Sequence, residues 1–567
     1  MLARLMVLTS FETLWELHHA GRSRRARRAV AAALRAALAI AAAAATTATT
    51  APAASAAEIP AIPLPSTGLN SAPAYQGGAA IANPITGIPA TPHNPFMAAN
   101  GQSEIHDDGW QTDAYTWAGP LGIKPATSSS LLRGDCGSIA FDRRGRLLSV
   151  CVGITGPVLY MLDPANLATV ASYSLPPRSL GSSTNFFQDF TGGGYFFLDQ
   201  NDRVVTSTTT HHIFVIAENA AADEFVKQRD YDLTHVLRSN ENLTSALPDS
   251  NGLLWFVAKT DGVVGTVNLQ TGAIQAIRLG HGTDGEIENS FAVGTAGDVY
   301  IATDRQMYRF TAGPGGVPAV KWQITYPNSH EHKPGQVDDG TGTTPTVMPG
   351  GYVSITDNAD PMDVVVYRTQ IKPTRSVHVK AHYVKRRVKL RNGRTVVRRI
   401  KVKASTKRIA APRTVCTVPV FGKGAGDTEN SLIGIGRSMI VENNYGYQSV
   451  TSVTAGGLTA PGLARVDIDA DRNGCHLVWA NTTGRAPTVV PKVSLATGLV
   501  YTYTKDPGIG DPWYWTALDF RTGRTVYKQL SGTGSVLFNN NYAGIAISRT
   551  GAEYLGVLGG IVSIRDS

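Results

Sequence analysis

Glu-Asn opens three related stretches of the chain, at Glu241-Asn242, Glu288-Asn289 and Glu429-Asn430. Each precedes a short alternating apolar run. A carboxylate beside an amide oxygen is a hard donor set, and calcium takes six to eight such oxygens in flexible geometry. A divalent ion held there would polarise a carbonyl. The alternative is that each pair caps a turn by bonding backbone amides. A second candidate is His106, followed by Asp107 and Asp108. A histidine with a carboxylate nearby can act as a general base at neutral pH, so His106 and Asp108 are the expected catalytic pair. Packing of that stretch is the competing explanation. No Gly-x-Ser-x-Gly elbow, Cys-x-x-Cys or phosphate-binding loop is present.

Such residues act together only if the fold brings distant parts of the chain to one place. The Glu-Asn stretches open units of about 50 residues, and β repeats of this size indicate a propeller. Repeats begin near Cys136, Asp189, Asn242, Asn289, Thr343, Asn430, Val489 and Asn540. The expectation is an all-β chain with a single β-propeller of eight four-stranded blades, seven being the alternative. The chain end holds three strand-like runs, so a strand from the N-terminal side, near Asp113 to Trp117, is expected to close the ring and remove the open edge. Polar residues at the starts of the inner strands would then converge on a central channel.

The hairpin turns carry a further signal. Leu518-Asp519-Phe520-Arg521-Thr522-Gly523-Arg524 resembles the "Asp, two residues, Thr-Gly" turn of quinoprotein-like (PQQ-like) secreted propellers. That resemblance implies the fold over roughly residues 130–567, and with it a quinoprotein-type oxidoreductase as one alternative activity. The tryptophan-docking signature of quinoprotein alcohol dehydrogenases has a Trp soon after the glycine. This chain has Tyr527, Ala276 or Tyr501 there, so pyrroloquinoline quinone is not expected. Calcium-dependent lactonase and arylesterase propellers, which have six blades, use a similar mixture of Glu, Asn and Asp. That chemical likeness implies a metal-dependent hydrolase of esters or lactones as the other alternative.

Residues 1–57 read as an export signal. Arg22, Arg24, Arg25, Arg27 and Arg28 precede an Ala/Leu-rich segment from Ala29 to Ala45, and small residues end it near Ala57. Residues 58–99 are rich in Pro and Ala without periodicity and read as an extended or partly disordered leader, with order beginning near Asn94. Residues 100–567 are assigned to the propeller. Export to the cell envelope or beyond implies an oxidising environment, and four cysteines there suggest two disulfides. Three pairings are possible; Cys136–Cys151 and Cys416–Cys475 are expected.

The net charge of +9 conceals a division. Residues 1–57 carry +5, and residues 371–413 carry 16 Lys/Arg with no Asp/Glu, so the remainder carries −12. The basic stretch reads as a hairpin insertion around Asn392-Gly393, with Arg386, Arg387, Arg398 and Arg399 as candidate surface-binding residues. An anionic envelope polymer or a membrane surface is its expected partner; nucleic acid is not expected, and a monomer is. The leading functional expectation is an exported propeller that binds a small ligand or envelope partner through its central funnel.

Overall fold

The computed structural model describes residues 59–567 except 65–71, 154, 179–188, 190, 281–284, 372, 509 and 535. The expected export signal lies outside the described residues. Among the described residues the strands form eight four-stranded antiparallel units, one of them extended at both edges. Their inner strands, for blades 1 to 8, are Asp135–Phe141, Phe196–Leu198, Leu243–Pro248, Ala292–Val293, Thr346–Met348, Ile433–Ile435, Lys492–Ser494 and Ile545–Ile547. The molecule is an eight-bladed β-propeller; seven blades start within five residues of the expected position, and blade 2 starts at Phe196, seven residues after the expected Asp189.

Burial follows position in the blade. In blade 3 the second strand, Leu253–Ala258, is apolar and almost wholly buried, because both of its faces meet neighbouring blades. The outer strand of blade 2, Phe225–Asp232, is exposed through its middle, where one edge and much of its surface meet solvent. The turn before the last strand is closed by one device. Asp519 Oδ1 accepts from Arg521 N and Thr522 N at 3.1 and 2.8 Å, and Gly523 N donates to Asp519 O at 2.8 Å. Gly523 has φ of 68°, which disfavours any residue with a Cβ.

Ring closure does use an N-terminal strand, but not the expected one. Ala126–Leu131 pairs with Gly560–Arg565 as the outer strand of blade 8. Ala114–Tyr115, within the stretch expected to close the ring, instead lies parallel to Lys492–Ser494 on the channel side of blade 7. The leader also differs from expectation. Tyr75–Gly77 adds a further outer strand to blade 7 by pairing with Tyr527 to Gln529, and Ile62 and Ala80 are buried in the same core.

Both expected disulfides are formed. Cys136 and Cys151 face each other on the first two strands of blade 1. Cys416 and Cys475 join the outer strands of blades 5 and 6. Between the third and fourth strands of blade 5, the insertion forms a long hairpin. Pro373–Val379 pairs with Ser405–Ala410, and His382–Lys389 pairs with Thr395–Val402.

Candidate functional site

The segment 94–117 lies across the central channel and bonds to the inner strand of every blade. Asn94 Nδ2 donates to Pro248 O of blade 3 at 2.8 Å. Gln102 O and Ser103 O accept from Phe141 N of blade 1 and Leu198 N of blade 2. Gly109 O, Trp110 O, Thr112 O and Asp113 O then accept in turn from Val293 N, Val347 N, Gly434 N and Val493 N of blades 4 to 7. Trp117 Nε1 reaches Ile547 O of blade 8 at 2.9 Å. The inner edges of the blades would otherwise present unpaired backbone groups to the channel; this plug pairs at least one such group in each blade. It is close-fitting: a Cβ on Gly109 would lie 2.8 Å from Val293 Cγ2.

The plug is polar, yet its side chains are buried, so each needs a partner. Asp107 and Asp113 have left-handed φ of 77° and 55°. Such conformations cost about 1–3 kcal/mol each and persist only where the surroundings fix them. Here the fixing group is Lys492 from blade 7. It ion-pairs with Asp113, lies 3.6 Å from Asp107, and donates to Ile105 O. Burial opposes the Lys492 charge, but Asp107 and Asp113 hold its pKa above the ordinary value.

Above the plug lies a central cavity of about 50 Å³, floored by Ile105 and His106. Its walls come from residues at or just before the inner strands: Asp135 and Ser138, Asp189 and Tyr195, Glu288 and Asn289, Glu429 and Ser431, and Asn541 and Tyr542. The lining thus holds four carboxylates, and Arg178 is the cationic side chain among them. Lys259 ion-pairs with Glu288 from behind. Asp135 Oδ2 accepts from Asn541 Nδ2 at 2.6 Å, whereas its Oδ1 is buried without a hydrogen bond. Burial pushes Asp135 up to about 7. Burial first, then the charges of Asp338 and Glu288, raise Glu429 well above the carboxylate range, against the hydrogen bond from Val337 N. Asp338, behind the wall, is pushed up to about 8 by burial and by Glu288.

Of the Glu-Asn pairs, Glu288, Asn289 and Glu429 meet at this cavity. Glu241 does not line it. Arg278 holds both Glu241 carboxylate oxygens at 2.6 Å, and Arg238 N adds a third bond at 2.7 Å. Asn242 keeps its backbone oxygen on Lys259 N. Asn430 turns its amide to Thr488 O. Among the described residues no group of three or more His, Cys, Asp or Glu side chains is arranged to hold a metal ion. Asp108 is engaged by its own loop, accepting from Trp110 N at 2.9 Å and Thr112 Oγ1 at 2.5 Å, and burial pushes it up to about 7. His106 is bonded to Asp113 rather than to Asp108, with Nδ1 3.1 and 3.2 Å from the two carboxylate oxygens. Ser431 also escaped the sequence reading, although it stands in the third Glu-Asn stretch. Its Oγ is 3.4 Å from His106 Nε2. Arg386, Arg387, Arg398 and Arg399 are exposed on the hairpin, where Arg386 lies opposite Arg398.

No protein-family model matches the chain. A relative from Archaeoglobus fulgidus, itself uncharacterised, is 23% identical over 435 residues, covering 73% of this chain and 76% of its own. Among solved structures, Sqt1 of Chaetomium thermophilum, bound to the N-terminus of ribosomal protein L10, covers 80% of this chain and 99% of its own, at 13% identity and a TM-score of 0.43. A streptogramin B lyase covers 78% of this chain and 97% of its own, at 10% identity and a TM-score of 0.37. A functionally unknown protein of Desulfotomaculum acetoxidans covers 72% and 96%, at 8% identity and a TM-score of 0.34. The propeller fold and the blade count rest on the strand pairing of this chain.

Proposed function

We propose that the protein is an exported propeller that takes a small cationic ligand, an organic ammonium group, into the plugged end of its central channel. The observation that supports this most is the composition of the cavity: four carboxylates converge with Arg178 as the cation in the lining. Tyr195 and Tyr542 add aromatic surface to the same walls, and aromatic faces attract ammonium groups. Burial disfavours the charge of both Asp135 and Glu429 and raises their pKa. A bound cation would restore that charge and release protons. The test is the melting temperature in tetramethylammonium chloride against sodium chloride at equal ionic strength. The expected result is a rise for the wild type that is lost in Glu429→Gln. An equal response in both proteins would overturn the assignment.

Calcium is the second reading, favoured by Glu288, Asn289 and Glu429 facing one cavity. Calcium at the same ionic strength then gives the rise that tetramethylammonium does not. Two disulfides support an oxidising compartment. The exposed basic hairpin supports a contact with an anionic surface of the envelope.

A further inference from the structure

Ser431, His106 and Asp113 come from two distant parts of the chain, blade 6 and the plug, and are hydrogen-bonded in series. A carboxylate can only accept, so the proton between His106 and Asp113 sits on Nδ1. In the neutral ring Nε2 is then an acceptor and faces Ser431 Oγ at 3.4 Å. The Ser431 hydroxyl is directed to the same end. Its oxygen already accepts from Thr344 N at 3.0 Å, which leaves the O–H free to point at Nε2. Asp113 is in turn fixed by the Lys492 ion pair, so the imidazole has one orientation. His106 and Ser431 both line the central cavity. A nucleophile, a base and a group that orients the base form the arrangement that activates serine for acyl transfer on unrelated folds.

We infer that Ser431 is a nucleophile, with His106 as its general base and Asp113 as the positioning residue, and that the cavity hydrolyses small carboxylic esters. In the first step Ser431 Oγ adds to the ester carbonyl carbon while its proton passes to His106 Nε2. The tetrahedral adduct then breaks its bond to the alcohol oxygen, which takes that proton. In the second step water adds to the acyl carbon and gives a proton to Nε2. The carboxylic acid leaves, and that proton returns to Ser431 Oγ. Ester and water become acid and alcohol, with no further reactant. The Asn289 amide also lines the cavity; it donates to Thr341 O at 3.4 Å, and turning from that acceptor it would donate to the developing oxyanion.

This inference uses the cavity assigned above to a small cation, but the two are tested separately. Full-length protein is treated with diisopropyl fluorophosphate, and the adduct is located by intact mass and peptide mapping. Phosphorylation forms the Ser431 Oγ–P bond, fluoride leaves, and His106 takes the proton. The expected result is one adduct on Ser431, absent in Ser431→Ala, with labelling slowed at least 100-fold in His106→Gln. Hydrolysis of p-nitrophenyl acetate is lost in the same two variants. In Asp113→Asn the pH profile of labelling shifts as the tautomer changes, which a purely structural role would not produce. No adduct on folded wild type, an adduct elsewhere, or equal labelling of His106→Gln overturns the inference. Tetramethylammonium binding retained by an unreactive protein leaves the ligand-binding reading standing, and labelling of Ser431 without such binding leaves only the nucleophile standing.

Discussion

Lys492 on the inner strand of blade 7 and Asp113 on the plug form an ion pair in which neither side chain is exposed to solvent. Through this pair the N-terminal segment is locked to the ring, and His106 is held in place at the cavity floor. Replacing one member of a buried pair leaves the other charged and unpaired, at a cost of about 3–5 kcal/mol. Lys492→Met is therefore expected to lose at least about 3 kcal/mol in urea denaturation. A loss below about 1 kcal/mol would show that the pair does not anchor the plug.

The Cys416–Cys475 disulfide ties the outer strands of adjacent blades across a separation of 59 residues. It limits the unfolded chain over a long loop. The double variant Cys416→Ser/Cys475→Ser is expected to lose about 2–4 kcal/mol, read by denaturation under non-reducing conditions. An unchanged midpoint would mean that packing between blades 5 and 6 suffices.

Asp427 gives the clearest pH prediction. It is buried, neither carboxylate oxygen accepts a hydrogen bond, and burial pushes it up to about 8 against the pull of Lys333. The folded state therefore holds a proton that the unfolded state releases near pH 4. This contribution is fully present below about pH 4 and is lost as pH rises through about 8. Asp427→Asn, which stays neutral, should gain on the wild type by at least about 1 kcal/mol between pH 5 and 9. A constant difference over that range would place the Asp427 pKa near its ordinary value.

Much of the fold was legible because blade starts carry repeated polar residues ahead of apolar runs, as in Glu288-Asn289 and Glu429-Asn430. The closing strand was not. Ala126–Leu131 is mostly Ser and Thr and half exposed, since it lies on the perimeter, whereas Ala114–Tyr115 looks like a strand because it is packed in the channel. The site was legible only in part. His106 was found, but its partner was sought among its sequence neighbours. The plug reverses direction through Asp107 and Gln111, both at positive φ, and so returns Asp113 to His106. Ser431 meets His106 across 325 residues, a contact that no local pattern encodes. The Arg278 that occupies Glu241 comes from the outer strand of its own blade, so a pair matching the others in sequence has a different role.

The hairpin inserted in blade 5 pairs with itself, Pro373–Val379 with Ser405–Ala410 and His382–Lys389 with Thr395–Val402. Its described side chains are largely exposed, and Arg399 stacks over Tyr383 at 5.6 Å. Deleting residues 376–409 should move the melting temperature by less than about 2 °C, because surface changes away from the core cost little. Binding to anionic vesicles should fall at least tenfold, and in the wild type it should weaken with salt. Undiminished vesicle binding by the deletion protein would remove the hairpin from any envelope contact.

Binding of a small cation in the plugged channel can be read by calorimetric titration with tetramethylammonium in two buffers of different ionisation enthalpy. One site per chain, proton release on binding, tighter binding at pH 8 than at pH 6, and at least tenfold weaker binding in Glu429→Gln are expected. Saturable binding that is independent of both pH and Glu429, or no binding heat in either buffer, would contradict it.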